Sequence, residues 1–271
     1  MSEKNITTIE SLPTDAREFV DFLKDLVTDD TYFINILFDQ LSKCKNDEYE
    51  SIRSNEECLS FIDSSYSGSE SDLVIVREFM DNYNCKGYTG AFKLALVFED
   101  FNYILKFPIR NFDQCEIECD NYADAIKENL EHYFVNTYNL GSLDSFVDRG
   151  YDGNIYIQKK VVKVLEDVCV GECWDFWEYG PFASGVREEC GDAISDEEVE
   201  AFSCFMESYA PEMFEYVGFL FAIWKYHSAD EIMELDSFLY RHNINDLHSC
   251  NAGFLTEDYN TCPVIIDFAG C

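Results

Sequence analysis

Apolar side chains in the first part of the chain recur at helical spacing. Between residues 14 and 45 they stand every three or four positions, first over 19–26 and again over 33–41. Polar residues at 28–31 interrupt the series. Because this spacing puts the apolar side chains on one face of a helix, the sequence predicts two consecutive amphipathic helices.

A polar stretch rich in Ser and Gly, DSSYSGSESD at 63–72, follows these helices and is typical of a linker. Two short apolar runs come next, GAFKLALVFED and NYILKFPI, with the turn-forming residues EDFN where they meet. Their length and composition predict a β-hairpin. The segment GNIYIQKKVVKVLED, residues 153–167, has strand character, with Ile155 and Ile157 alternating against Tyr156 and Gln158.

The rest of the chain is predicted to be mainly helical. Residues 111–135 carry an aspartate near their start and the apolar positions of an amphipathic helix, namely Ile117, Tyr122, Ala125, Ile126 and Leu130. Residues 195–242 keep a helical pattern throughout, and within them the apolar segment 213–224, MFEYVGFLFAIW, suits a buried helix. An apolar strand at 263–266 leads directly into Asp267.

This order of elements favours an α+β fold, since helices and strands come in separate groups along the chain. We interpret the chain as three regions. Residues 1–72 form a helical region with the linker, residues 73–165 a β-rich region with one helix, and residues 166–271 a helical region that carries the last strand.

The charge of the chain excludes one class of partner. Its 271 residues include 54 acidic and 19 basic ones, which gives a formal net charge of −35. A protein that binds nucleic acid through phosphate contacts needs a basic surface, so we expect no direct nucleic-acid binding. The same field attracts basic proteins and cationic small molecules. A hydrophobic content of 47% and an aromatic content of 16% indicate a folded core.

The 12 cysteines leave zinc binding open as an alternative. Cys115 and Cys119 together with Cys169 and Cys173 could offer four thiolates, whereas a spacing of four residues also places two side chains on one helix face. The sequence has none of the close C-x-x-C pairs of common structural zinc sites. The first residues lack the apolar segment of a secretory signal, and no apolar run is long enough to span a bilayer. We therefore expect a reducing, cytoplasmic compartment, free thiols and no membrane contact.

The C-terminal stretch NDLHSCNAGFLTEDYNTCPVIIDFAGC contains three oxygen-bearing side chains near turns or strand ends. Asn251 follows Asp246 by five positions, and Asp267 follows the apolar strand. Mg²⁺ prefers hard oxygen ligands and shares its coordination sphere with phosphates. The pattern therefore indicates a site for Mg²⁺ and phosphate groups.

The motifs DLHSCN and VIIDFAG in this stretch resemble the catalytic loop and the metal-binding turn of the protein-kinase-like superfamily. The form DLHxxN is especially similar to the aminoglycoside phosphotransferase branch. The resemblance implies that Asp246 is the catalytic aspartate, which orients or deprotonates the attacking hydroxyl group. It also implies that Asn251 and Asp267 hold Mg²⁺ against the phosphates of ATP.

Residues upstream stand in the order that this family requires. Lys106, in the apolar run ILKF, takes the place of the strand lysine that contacts the α- and β-phosphates. Glu118, in the helix that follows, takes the place of the glutamate that pairs with this lysine. Glu116 is the less favoured partner, because a step of two residues turns a side chain to the far side of a helix.

The resemblance also implies nucleotide contacts. The segment GYTG, with Gly87 and Gly90, is similar to a shortened glycine-rich loop over the phosphates. The segment IYIQKKV resembles the strand and hinge whose backbone, near Gln158 and Lys160, meets the adenine. The likeness covers roughly residues 87–270 and implies a two-lobed fold, with a small antiparallel sheet in one lobe and mainly helices in the other.

Two features depart from the family pattern. Ile244 stands two residues before Asp246, where the family usually has His or Tyr. Only Cys271 follows Gly270, so we expect no activation segment and no regulation through its phosphorylation. The helical residues 171–242 are then expected to supply the substrate platform.

The leading functional prediction is a Mg²⁺-dependent kinase that transfers the γ-phosphate of ATP to a hydroxyl group of a protein or of a cationic small molecule. Taken singly, each residue also has an ordinary structural interpretation, such as a lysine at a strand edge or an aspartate in a turn. The alternative is a non-catalytic acidic protein that binds a basic partner, as a pseudokinase scaffold or as a mimic of a polyanion such as DNA. A small, acidic, cysteine-rich chain also suits a viral origin, for which the compartment is the host cytoplasm.

Overall fold

The computed structural model describes residues 5–45, 70–89, 93–109, 114–164, 195–209, 211, 217–247, 251–257 and 261–269. Within these residues the protein is an α+β structure with two antiparallel sheets, which confirms the predicted fold class. The helices are α1 (Thr14–Asp29), α2 (Thr31–Lys45), α3 (Glu70–Asn82), α4 (Gln114–Glu128), α5 (Asp144–Val147), α6 (Asp196–Tyr209), α7 (Val217–Trp224) and α8 (Ala229–Arg241). The strands are β1 (Cys85–Thr89), β2 (Lys93–Phe98), β3 (Tyr103–Pro108), β4 (Thr137–Asn139), β5 (Tyr156–Lys159), β6 (Lys163–Val164), β7 (Ala252–Phe254) and β8 (Val264–Ile265).

The chain divides into two compact units. The first comprises Met1–Asp120 and Asn136–Lys160, and the second comprises Asn121–Val135 and Val161–Cys271. A sheet of five strands lies in the first unit, and a sheet of three strands lies in the second. Each unit therefore has its own sheet.

The sheet of the first unit is antiparallel, with the strand order β1-β2-β3-β5-β4. Strands β2 and β3 form a hairpin around residues 99–102, which confirms the hairpin prediction. Leu94 pairs with Phe107 and Leu96 pairs with Leu105. Because side chains alternate across a strand, these four buried residues share one face of the sheet.

Helices α1 and α2 cover this apolar face of the sheet. They follow one another with a break at Asp30, as the apolar spacing predicted. Their buried side chains and those of the sheet belong to one hydrophobic core. The ring of Phe19 on α1, for example, lies 6.0 Å from the ring of Phe98 on β2, measured between centroids. Packing of many aromatic side chains thus buries this face of the sheet.

Helix α3 was missed by the sequence analysis. Residues 70–72 were placed in the linker, whereas the helix begins at Glu70; residues 63–69 lie outside the described residues. Val76 and Phe79 are buried three positions apart and anchor the helix in the core. The short elements α5 and β4 were missed as well, because elements of three or four residues leave no periodic pattern.

Helix α4 covers the opposite face of the sheet through a partly polar surface. Cys115 and Cys119 are buried there and pack against β5. Ile117 and Ile126, which the sequence analysis placed on the apolar face, are 38% and 50% exposed. The helix is rotated because two small cysteines and the fully buried Glu118 occupy its inner face instead. A search for large apolar residues cannot detect such a face.

The second unit resolves the predicted helical block into α6, α7 and α8. Phe202 of α6 meets the rings of Phe221 and Trp224 of α7, each at 5.1 Å between centroids. The start of α7 was predicted at residue 213, but residues 213–216 lie outside the described part. In the chain segments that the structure describes, no helix has both the length and the apolar character that crossing a membrane requires.

Helix α8 begins with a capping box. The Ser228 hydroxyl accepts a hydrogen bond from the Glu231 N–H, and the Glu231 carboxylate accepts one from the Ser228 N–H. This reciprocal pair satisfies two N–H groups that the first turn of a helix leaves unpaired. Its start is therefore encoded locally, and the predicted stripe of apolar residues, from Ile232 to Leu239, is buried as expected.

The sheet of the second unit has the order β6-β7-β8. Ala252 pairs with Ile265 and Gly253 pairs with Val264, so the last strand is shorter than the predicted segment 263–266. A side chain at position 253 would place its Cβ 2.8 Å from the main-chain oxygen of Lys163. Glycine is therefore needed where β6 and β7 approach each other.

Candidate functional site

Lys106 and Glu118 form a buried ion pair in the first unit. Lys106 lies in β3 and is 6% exposed, while Glu118 in α4 is 0% exposed. The Lys106 Nζ is 2.8 Å from the Glu118 Oε2. The predicted contact is confirmed, and Glu118 rather than Glu116 is the partner.

Lys93 is a further member of this cluster that the sequence analysis missed. Its Nζ lies 2.7 Å from the Oε1 of Glu118, and its side chain is 10% exposed. Each oxygen of the carboxylate therefore binds a different lysine. A signal was present in the run KLALVF, where a lysine adjoins an apolar strand, much as Lys106 does in ILKF.

Gln158 extends the cluster along β5. Its Oε1 accepts a hydrogen bond from Lys106 at 3.1 Å, and its Nε2 donates to the Thr137 Oγ1 at 2.9 Å. All three side chains are buried. The resemblance pointed to Gln158 for its backbone, whereas the structure shows its side chain orienting Lys106.

The backbone around Lys160 is engaged within the protein. The Lys159 N–H donates to the Asn136 oxygen at 2.8 Å, and the Lys160 N–H donates to the Asn102 oxygen at 2.7 Å. The Lys160 ammonium group pairs with Glu99 at 3.2 Å. These two N–H groups are therefore occupied, and an adenine contact from this segment would have to use carbonyl oxygens.

Gly87 lies within β1, opposite Leu96 of β2. The sequence interpretation placed it in a glycine-rich loop, whereas antiparallel pairing extends the strand from Cys85 to Thr89. Gly90 lies outside the described residues.

Asp246, Asn251 and Asp267 all belong to the second unit. The Asn251 Nδ2 donates to the main-chain oxygen of Asp246 at 2.9 Å and to its Oδ2 at 3.2 Å. The Ile266 N–H donates to the main-chain oxygen of Asn251 at 2.9 Å, in continuation of the β7–β8 pairing. Asp267 comes directly after Ile266, so its main chain lies next to that of Asn251.

The donor groups of this cluster suit Mg²⁺. The amide nitrogen of Asn251 is held by Asp246, so the amide oxygen faces away from that carboxylate. Asn251 and Asp267 are both partly exposed, and amide and carboxylate oxygens are the ligands that Mg²⁺ prefers. By residue type, Asn251 and Asp267 therefore suit the ion that the resemblance implies.

The turn after Asp267 is held by a buried asparagine of the second unit. The Asn121 Nδ2 donates to the main-chain oxygen of Phe268 at 2.7 Å, and its Oδ1 lies 3.0 Å from the His242 Nδ1. Because the amide nitrogen donates to a carbonyl, the amide oxygen is the acceptor, and the His242 Nδ1 must carry the hydrogen. Burial lowers the pKa of His242, which favours the neutral form of the imidazole.

Aromatic rings also pack against Phe268 of the same turn. The ring of Phe268 contacts Phe134 at 5.1 Å between centroids, and Phe134 contacts Phe238 at 5.5 Å. The imidazole of His242 stacks on Phe238 at 4.2 Å. Phe268 is thus restrained through both its main-chain oxygen and its ring.

Ile244 stands where the resembled family usually has a polar or aromatic residue. It is 1% exposed, and its N–H donates to the Leu239 oxygen at 2.9 Å. The segment before Asp246 is therefore supported by apolar burial and by a main-chain bond to the end of α8.

The pair of Cys262 and His227 is poorly suited to nucleophilic catalysis. The Cys262 Sγ lies 3.3 Å from the His227 Nε2, but burial raises the pKa of the thiol to about 12 and lowers the pKa of the imidazole. A protonated thiol beside a neutral imidazole is a poor nucleophile.

Among the residues described, no three His, Cys, Asp or Glu side chains form a group that could hold a metal ion. Of the cysteines considered for zinc, Cys169 and Cys173 lie outside those residues.

Sequence reasoning predicted the contact between Lys106 and Glu118, which is confirmed, and the roles of Asp246, Asn251 and Asp267, which stay predictions. It missed the residues that contact these segments. Lys93, Asn121 and His242 belong to no motif, and their partners are distant along the chain.

Comparison of the chain with protein-family models, with curated proteins and with solved structures gives no match in any of the three.

Proposed function

We propose that this protein is an ATP- and Mg²⁺-dependent phosphotransferase with a two-lobed, protein-kinase-like fold, which transfers the γ-phosphoryl group to a hydroxyl group. The observation that carries the proposal is the buried contact between Lys106 and Glu118. Burial of charged groups costs free energy that packing of apolar residues avoids. A lysine held in a strand by a glutamate of the next helix therefore suggests a task beyond stability.

Lys106 is assigned to the phosphates of ATP. Its ammonium group carries three hydrogens, and Glu118 and Gln158 each accept a bond from it. These two partners hold the side chain in one orientation. A preorganised cation of this kind neutralises phosphate charge without having to reorganise during the reaction.

Asp246, Asn251 and Asp267 are assigned to the acceptor and the metal. The exposed Asp246 carboxylate would orient the attacking hydroxyl group and take its proton. Asn251 and Asp267 would hold Mg²⁺ through their side-chain oxygens. Bound there, Mg²⁺ would neutralise negative charge on the phosphates.

The acceptor is proposed to be a basic protein or a cationic small molecule. The net charge of −35 attracts cations to the protein surface and repels anionic metabolites. Because this attraction acts over the whole surface and is screened by salt, it favours a class of substrate rather than one compound.

Thermal unfolding with and without Mg²⁺-ATP tests the proposal. The proteins are the wild type, Lys106→Met, Asp267→Asn and the control Lys86→Met, which removes a surface lysine paired with Glu99. A ligand at 100 times its Kd stabilises the folded state by about 2.7 kcal/mol. We expect this shift in the wild type and the control and not in the two site variants. Each shift is measured within one variant, so a difference in basal stability cancels.

The outcomes separate the two functional classes. A shift that requires Lys106 and Asp267, followed by transfer of labelled phosphate to basic proteins or cationic metabolites, supports the enzyme. A nucleotide-dependent shift without transfer to any acceptor supports the pseudokinase scaffold. No shift at millimolar nucleotide contradicts the proposal and favours an acidic binding protein or polyanion mimic.

A further inference from the structure

An open groove runs along helix α8 in the second unit. Its volume is about 760 Å³, and its walls come from α8, from the end of α6 and from the end of α4 with the residues that follow. Ligand-binding clefts of proteins usually measure about 300–1,000 Å³, so the groove is large enough for a ligand. None of the residues assigned to the acceptor or to the metal is among the described residues that line it.

One face of α8 supplies most of the groove. The lining residues of this face are Asp230, Met233, Glu234, Ser237 and Arg241. They stand three or four positions apart, which keeps them on one side of the helix and away from its buried apolar stripe. At a rise of about 1.5 Å per residue, the face from Asp230 to Arg241 is about 16 Å long. This length matches about five residues of an extended chain.

The groove carries an excess of negative charge. Three carboxylates line it, and the one on Glu128 is paired with the guanidinium group of Arg241. The other two belong to Asp230 and Glu234, which are exposed and form no ion pair or side-chain hydrogen bond within the described part of the chain. Asp230 lies in the first turn of α8, where a carboxylate complements the helix dipole, but Glu234 lies beyond that turn. A cationic ligand would supply a counter-charge to both.

Apolar surface lines the same groove. Tyr209, the last residue of α6, stacks on Phe205 at 5.4 Å between centroids and is still 43% exposed. Leu130 is buried and Met233 is partly buried. An exposed aromatic ring attracts guanidinium and ammonium groups to its face, in addition to the attraction of the carboxylates. The lining therefore suits a ligand that has both cationic and apolar groups.

We propose that this groove is the docking site for a basic segment of a partner protein. Arginine or lysine side chains of the segment meet Asp230 and Glu234, and its apolar side chains cover Met233 and Tyr209. A peptide segment fits better than a linear polyamine, because a thin polyamine chain leaves much of a groove of this volume to water.

The net charge of −35 attracts basic partners to the whole surface, and the groove then determines where the segment binds. The inference goes beyond the proposed function, since such a docking site serves an enzyme that acts on a basic protein and a non-catalytic binding protein alike.

Fluorescence polarisation with the full chain at physiological ionic strength tests the inference. The probe is a labelled six-residue peptide with four arginines and two leucines. The double variant Asp230→Asn with Glu234→Gln removes two charges from the groove and keeps the size of both side chains. The control, Glu18→Gln with Asp25→Asn, removes two exposed charges of α1 in the first unit. We expect the groove variant to weaken peptide binding about tenfold and the control less than twofold, because salt screens charges that the peptide does not contact.

Two further measurements locate the bound peptide. Tyr209→Ala leaves the net charge unchanged and removes the exposed ring, so we expect it to weaken binding about three- to tenfold. A version of the peptide with a photoreactive group should crosslink to α6 or α8, and mass spectrometry of the digested protein identifies the crosslinked residues. Far-ultraviolet circular dichroism checks that each variant keeps its helices.

Every outcome either supports the inference or overturns it. Losses confined to the groove variants, with crosslinks in α6 or α8, support it. Equal losses in the double variant and the α1 control show attraction by the whole surface and overturn it, as does a wild-type protein that does not bind the peptide. Displacement of the peptide by an equal concentration of spermine makes a small cation the occupant and overturns the assignment to a protein segment. None of these results involves nucleotide, so the proposed function is tested separately by the shift with Mg²⁺-ATP.

Discussion

The side-chain amide of Asn121 donates a hydrogen bond to the main-chain oxygen of Phe268, 2.7 Å away. The two residues are 147 positions apart in the chain, and Asp267 directly precedes the acceptor. A buried carbonyl without a donor is costly, so this bond sets the conformation of the turn as well as its stability. The residue proposed to bind the metal is therefore positioned by a side chain that belongs to no motif.

Replacement of Asn121 by leucine is expected to destabilise the protein. The substitution leaves the Phe268 oxygen without this donor and the His242 Nδ1 without this acceptor. The unsatisfied buried carbonyl of Phe268 costs about 1–3 kcal/mol, and denaturation in urea measures the loss. Ser237→Ala is the control, because it removes an exposed hydroxyl that only bonds back to the Met233 oxygen. An Asn121→Leu protein as stable as that control would show that the bond contributes nothing.

Removal of the Glu118 carboxylate is expected to be far more costly than removal of a surface carboxylate. Glu118→Ala leaves two buried lysines without this shared partner, and breaking a buried ion pair costs about 3–5 kcal/mol. Glu99→Ala is a matched control, since Glu99 also accepts from two lysines, Lys86 and Lys160, but at the surface. Water screens that pair of contacts, so we expect a much smaller loss of unfolding free energy. Similar losses in the two variants would contradict the role given to burial.

The contribution of His242 to stability is expected to fall on mild acidification. Burial lowers the pKa of this imidazole below its ordinary value of 6.5, while the nearby Asp124 raises it by a smaller amount. In the unfolded chain this imidazole therefore takes up a proton near pH 6.5, while in the folded protein it stays neutral. Its contribution to the unfolding free energy decreases as pH falls from about 7 toward the folded pKa.

The His242→Gln variant isolates this contribution. Glutamine can still donate to Asn121 and does not titrate, so the variant should lose less stability than the wild type between about pH 7 and pH 5. His227, whose pKa is also lowered by burial, titrates in both proteins and cancels in the comparison. Parallel stability curves for the two proteins would rule out the assignment to His242.

Thiol labelling of the native protein should follow burial. Cys204 is exposed, whereas Cys85 and Cys119 are buried and burial raises the pKa of both thiols, that of Cys85 to about 12. Because only the thiolate reacts, a maleimide reagent should modify Cys204 before Cys85 and Cys119 at neutral pH. Peptide mapping by mass spectrometry measures the three rates, and labelling in denaturant should make them similar. Equal rates in the native state would contradict the burial of helix α4 against the sheet.

Local patterning was sufficient for several of the long elements, though not for helix α3, and for one contact of the candidate site. Helices α1, α2 and α8 and the β2–β3 hairpin have apolar residues at regular spacing, so burial of one face specifies each of them. The choice of Glu118 over Glu116 followed from helical geometry and is confirmed by the contact with Lys106. The catalytic and metal-binding roles stay predictions.

The remaining arrangement depends on contacts between distant segments, which no local pattern encodes. The inner face of α4 is set by the sheet it packs against, and there two cysteines and a glutamate replace the expected isoleucines. Lys93 meets Lys106 because of strand register, and Asn121 meets Phe268 because of long-range packing. The spacing of apolar residues predicts which face of a helix or strand is buried. The identity of the residue that satisfies a buried charge or carbonyl follows only once the folded chain has brought the two together.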